Sequence, residues 1–171
     1  KAGEEVKLAP YESRIFVFGA AANAPVAKAK VASKAPPIDL ASGWTVKFGD
    51  LNLTKTAVSA GTSWADDPAT KYFSGEASYT RSVTLTAAQA SGLTTLSFGE
   101  GKPQEAARGG RFRARIDAPI RDAAVVIVNG TRVDSVWTAP FDIDLSSALK
   151  AGENTIEVRV CDIPLRAEET I

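Results

Sequence analysis

The sequence predicts an all-β protein, an antiparallel β-sandwich with little helix, and three observations carry the prediction. From about residue 40 onward, short segments alternate apolar and polar side chains with the period of two that turns one face of a strand toward a core. Turn residues punctuate them at strand spacing, including an Asn-Gly pair at 129–130 between two β-forming runs. Helical periodicity is nearly absent: only "TAAQASGL" (86–93) and "LSSALKAGE" (145–153) have room for a helical turn. Eight or so strands of this kind bury their apolar faces as two packed sheets. A jelly-roll connection is preferred to an immunoglobulin-like one, although periodicity alone does not decide between them.

Taken in order, residues 1–20 alternate Val6 and Leu8 with charges, turn at Ala9-Pro10 and end on the strand-forming "RIFVF". That pattern fits the last hairpin of a preceding domain or the first hairpin of this one. Residues 21–39 are rich in Ala, Lys and Pro, a linker composition in which Pro25, Pro36 and Pro37 limit any helix. The sandwich proper is expected over 40–165. "WTVKF" sets Trp44, Val46 and Phe48 on one face. "EASYTRSVTL" sets Ala77, Tyr79, Arg81, Val83 and Leu85 against Ser78, Thr80, Ser82 and Thr84. "TTLSFGE" is a further strand. "AAVVIV" is apolar on both faces and reads as central, and "VNGTRV" supplies a hairpin turn after it. "FDIDL" points Phe141, Ile143 and Leu145 inward, and "NTIEVRV" does so with Ile156, Val158 and Val160. Arg81, on an inward face, needs a partner, which a carboxylate at the sandwich rim can supply.

Composition then narrows the chemistry. Twenty basic and twenty acidic side chains cancel, so nothing supports phosphate-driven binding of nucleic acid. No run of eighteen apolar residues suggests a membrane span. With no histidine, the chain builds neither a Ser-His-Asp nor a Cys-His nucleophile, and the single Cys161 excludes an internal disulfide and a multi-cysteine zinc site. Methionine is absent even at position 1, which reads as a processed or excised piece of a longer chain.

Paired carboxylates are the remaining catalytic device, and glycoside hydrolysis needs two, about 5–5.5 Å apart for retention or about 6.5–9.5 Å for inversion. Asp66–Asp67, Asp142/Asp144 and Glu100 are the candidates. Neighbouring acids on one loop rarely face a common atom, and Asp142 and Asp144 fall on a solvent face, so no catalytic residue is assigned. No cofactor is expected; a calcium ion held by Asp66 or Asp67 has two acids but no spaced ligand set behind it.

The candidate binding site is "TSWADDPATKYFSG", where Trp64 and Tyr72 offer flat faces for a pyranose and Asp66, Asp67 and Lys71 offer groups for its hydroxyls. The competing reading, favoured on residue type, is a loop anchored by aromatics tucked into the sandwich. Trp137 is expected to pack in the core or a corner. Arg111, Arg113 and Arg115 alternate with apolar residues, which fits an anion-binding strand or, more simply, an edge strand protected by charge.

"SGWTVKF", "KYFSGEASYTRSVTL", "LSFGE" and the tail "VNG…VW…PFDIDLSSALKAGENTIEV" resemble the C-terminal β-sandwich of bacterial α-L-rhamnosidase-type glycoside hydrolases. More loosely, they resemble the sugar-binding jelly roll of β-galactosidases and β-glucuronidases. The resemblance covers 42–160 and rests most on Tyr72, Phe73, Gly75, Tyr79 and Arg81. It implies a galactose-binding-like sandwich appended to a catalytic barrel that carries the catalytic acids, and residues 1–20 closing a preceding domain. It further implies carbohydrate and that catalytic domain as partners, and a secreted or periplasmic enzyme. The stretch "GKPQEAARGGRFRARIDAPI" (101–120) reads as an insertion into the family pattern. An accessory domain of an enzyme acting on anionic polysaccharide, or a purely structural module, are the alternatives.

Overall fold

The computed structural model describes residues 8, 36–49, 51–104, 115–120 and 122–162. The hairpin expected over 1–20, most of the linker expected over 21–39, and Arg111 and Arg113 lie outside the described residues.

Among the described residues, ten strands form the framework: β1 (Trp44–Phe48), β2 (Leu53–Val58), β3 (Gly75–Leu85), β4 (Thr95–Ser97), β5 (Lys102–Gln104), β6 (Arg115–Asp117), β7 (Ala123–Val128), β8 (Thr131–Val136), β9 (Asp142–Asp144) and β10 (Gly152–Asp162). The larger sheet runs β2-β1-β3-β10-β7-β8, with β4-β9 and β5-β6 as two-stranded sheets, and every pairing is antiparallel. The fold is an all-β sandwich, as the alternation predicts.

The pattern maps onto burial residue by residue. In β1, Trp44, Val46 and Phe48 are buried between exposed Thr45 and Lys47. β3 and β10, both eleven residues, pair along their whole length and carry Ala77, Val83, Ile156 and Val158 into the core. Phe141, Ile143 and Leu145 come from β9 and the residues on either side of it to meet them, with Leu96 beside them on β4. A cleft of about 1140 Å³ runs between these layers, walled by Trp44, Tyr79, Val83 and Ile156 on one side and Leu96 and Leu145 on the other.

The one helix among the described residues is a single turn, Ala87–Ser91, with a capping box: Thr86 Oγ1 accepts from Gln89 N while Gln89 Oε1 accepts from Thr86 N. The second expected helical turn is only a turn. Ala148 N and Leu149 N both donate to Leu145 O, and the chain then folds around Asn154.

Asn154 is 1% exposed and uses its whole amide. Its Nδ2 donates to Lys150 O and Gly152 O at 2.7 and 3.0 Å, and its Oδ1 accepts from Lys150 N and Asn129 Nδ2 at 2.9 and 3.0 Å. Asn129 opens the predicted hairpin turn with φ 52° and Gly130 follows at 80°, the left-handed pair that such a turn requires. Asn129 Oδ1 in turn accepts from Thr155 N, tying the turn to β10.

Trp137 corrects an expectation: it is 65% exposed. Between Val126↔Asp134 and Ile127↔Arg132 the ladder skips Val133, a bulge that shifts the phase of β8 by one residue. Val136 therefore faces the core at 4% exposure, and Trp137 does not. Arg81 also departs from expectation, since its guanidinium donates to the carbonyl of Ser42 rather than to a carboxylate.

On the outer face of the large sheet, Glu157 accepts from Ser78 Oγ and from Arg159 Nε, both at 2.7 Å. The bond from Arg159, then that from Ser78, hold its carboxyl below its ordinary value. The stabilisation this confers is present above the unfolded carboxyl's range and is lost as pH falls through the lowered folded value. Glu157→Gln is thus expected to leave a shallower loss of stability on acidification than the wild type shows, read from urea unfolding between pH 3 and pH 6. Parallel acid limbs would refute it.

Candidate functional site

The expected binding residues lie on the loop 59–74, which leaves β2, crosses beside β1 and returns as β3. Local hydrogen bonds give it a fixed shape. Ser63 Oγ accepts from Ala65 N and caps a 3-10 turn over Trp64–Asp66. Asp67 Oδ1 accepts from Ala69 N, and Asp67 O accepts from Thr70 N and Lys71 N at 2.9 and 2.8 Å. Thr70, 2% exposed, donates its hydroxyl to Trp64 O at 2.9 Å.

Three aromatic rings then clamp the loop to the sheet. Phe48, Trp64 and Phe73 meet edge to face, with centroids 5.3–5.5 Å apart in each pair. Trp64 Nε1 donates to Tyr79 Oη at 2.6 Å, and Tyr79 meets Trp44 edge to face at 6.4 Å. Burial pushes the Tyr79 hydroxyl above its ordinary value, and the bond from Trp64 opposes that shift. Gly75 is needed where the loop joins β3: φ is 151°, and an added Cβ would come 3.2 Å from the Phe73 ring.

The five expected residues thus divide. Trp64 is half-buried and serves as an anchor, the packing alternative for this loop. Asp67 pairs with the ammonium of Lys55, and Asp66 is exposed on the 3-10 turn. Lys71 and Tyr72 form the outward corner, between the fixed points Thr70 and Phe73. Tyr72 is 86% exposed, and Lys71 Nζ stands 4.6 Å from its ring centroid. Lys71 also lines the cleft between the layers, as does Trp64. Residue type did not reveal Lys55, Phe48 or Tyr79 as supports of this loop; the inward faces of β1 and β3 placed the latter two nearby.

Among the described residues, no three His, Cys, Asp or Glu side chains gather where they could hold a metal ion. Their carboxylates are engaged structurally where partners are seen: Asp67 with Lys55, Glu157 with Arg159, and Asp144 with Ser146.

No family model matches the chain. A protein of Formosa agariphila named "Putative beta-glucuronidase" is 31% identical over 137 residues, 78% of this chain and 10% of that protein. The chain thus spans about a tenth of that relative's length. Among solved structures, a rhamnosidase from Novosphingobium sp. PP1Y aligns with 82% of this chain and 12% of its own, at 25% identity and a TM-score of 0.52. A β-glucuronidase from Ruminococcus gnavus in complex with D-glucuronic acid aligns with 77% of this chain and 24% of its own, at 18% identity and a TM-score of 0.51, and shares the fold. Over most of its length the chain is similar to one stretch of much longer glycoside hydrolases.

Proposed function

We propose that this chain is a non-catalytic β-sandwich domain of a glycoside hydrolase and that it binds carbohydrate at the Lys71–Tyr72 corner. The observation that carries the reading is a solvent-exposed phenol ring presented by a loop pinned on both sides. A tyrosine face accepts the C–H face of a pyranose, and a preorganised loop lowers the cost of ordering it on binding. The catalytic acids reside in another part of the parent enzyme, which acts on plant or microbial glycans and works in the periplasm or outside the cell. The resemblance to rhamnosidase sequences and the match to a rhamnosidase fold favour an α-L-rhamnosidase-like parent. The domain runs over 40–165, after a linker at 21–39 and the last hairpin of a preceding domain at 1–20.

A specific observation favours a second reading, that of a scaffold docked on the catalytic domain without sugar binding. Trp137 and Leu51, 65% and 45% exposed, lie at the same end of the large sheet as Tyr72, on loops at its two opposite margins, where a docked neighbour can cover them.

Titration of the chain with rhamnose-, galactose- and uronate-containing oligosaccharides, followed by amide chemical shifts, decides between the two. Saturable shifts around 71–73 that fall about five- to thirtyfold in affinity in Tyr72→Ala are expected, since stacking of this kind is worth roughly 1–2 kcal/mol. Stability of that variant should stay within about 0.5 kcal/mol, because the side chain is exposed. Silence toward every sugar at millimolar concentration leaves the scaffold.

A further inference from the structure

We infer that the Lys71–Tyr72 corner selects sugars bearing a carboxylate, uronates in preference to neutral pyranoses; the inference rests on the carbohydrate-binding reading above. The acid nearest Lys71 in the loop's hydrogen bonding, Asp67, is taken by Lys55, so the Lys71 ammonium has no ion-pair partner among the described residues. It stands over the ring of the next residue, 4.6 Å from Nζ to centroid. Cation and solvent-exposed aromatic ring are therefore adjacent, the complement of what a uronate presents: a carboxylate at one edge of its ring and C–H bonds on its face.

The support beneath the corner sharpens the argument. Lys71 N is fixed on Asp67 O, Thr70 is sealed against Trp64 O, and Phe73 is wedged between Phe48 and Trp64. The backbone of the pair is set before a ligand arrives, while the lysine stem keeps the reach to move its charge from the phenol to a carboxylate. Lys71 also lines the interlayer cleft, so that a chain stacked on Tyr72 can continue past the ammonium toward the cleft. A neutral sugar finds the same ring but nothing for the charge to meet.

The test compares methyl β-D-glucuronide with methyl β-D-glucoside by amide-shift titration of the whole chain, in wild type, Lys71→Gln, Lys71→Arg and Tyr72→Ala. The glucuronide is expected to bind about fivefold more tightly at low salt, the scale of an exposed ion pair. That margin should shrink in 0.5 M NaCl, vanish in Lys71→Gln and persist in Lys71→Arg. Equal binding of the two sugars, or a preference that survives Lys71→Gln, overturns the inference and leaves the carbohydrate-binding reading intact. Failure of both sugars to bind, in a chain whose spectrum shows it folded, overturns the inference, and silence toward the oligosaccharides above overturns the carbohydrate-binding reading with it.

Discussion

Asn154→Ala is expected to lower stability by about 3–4 kcal/mol, because one side chain closes four hydrogen bonds inside the fold. The methyl group deprives two carbonyls and the Lys150 amide of the side chain that is 1% exposed between them, and each hydrogen bond lost is worth about 1 kcal/mol net. Asn154→Asp separates polarity from shape. It fits the same space, but its carboxylate would face Lys150 O and Gly152 O with nothing to donate. Burial and these oxygens raise its folded pKa, so its deficit grows as pH rises through the unfolded carboxyl's range and eases on acidification, when the acid can donate. Thermal unfolding at pH 4 and pH 7 reads both effects. A midpoint within a degree of wild type for the alanine variant would show that the clasp carries no net stability.

Phe48→Ala is expected to cost about 3–5 kcal/mol, the range for truncating a buried phenylalanine. Phe48 is 2% exposed and touches both other members of the aromatic clamp. Its loss reaches beyond stability, because Trp64 and Phe73 rest on it and together hold the loop that presents Tyr72. Trp64 emission should shift to longer wavelength, and any sugar affinity should fall although neither Lys71 nor Tyr72 has changed. Urea unfolding with parallel titration checks the pair of effects. Undiminished affinity in a destabilised but folded variant would mean that the corner needs no aromatic floor.

Much of this architecture was legible wherever a strand is long and one face is wet. β1, β3, β9 and β10 follow the two-residue period of their sequences, and Asn129-Gly130 declares its turn because few other pairs accept two left-handed residues in succession. The period failed where a bulge resets it: Val133 in β8 sends Trp137 outward, and no local signal distinguishes that residue from its neighbours. β2 also escaped notice, since "LTKTAV" at a sheet edge buries too little to alternate clearly. At the site, residue types identified the loop but not the orientation of its rings. Trp64 and Tyr72 are equally suited to stacking on a sugar; only tertiary contact with Phe48 and Tyr79 turns one inward and leaves the other bare.

Among the described residues, the order of the large sheet leaves β2 and β8 at its margins. A free margin is a row of unmet backbone groups, the template on which chains recruit one another into aggregates. Both margins here are irregular. Ala57 in β2 has a left-handed φ of 56° where the register with β1 shifts, and β8 carries its bulge at Val133 together with exposed Arg132 and Asp134. A second copy laid along either side loses register within a few residues and brings charge against charge. The same irregularity that conceals Trp137's orientation from a reader of the sequence thus works against edge-to-edge pairing, keeping the sheet finite.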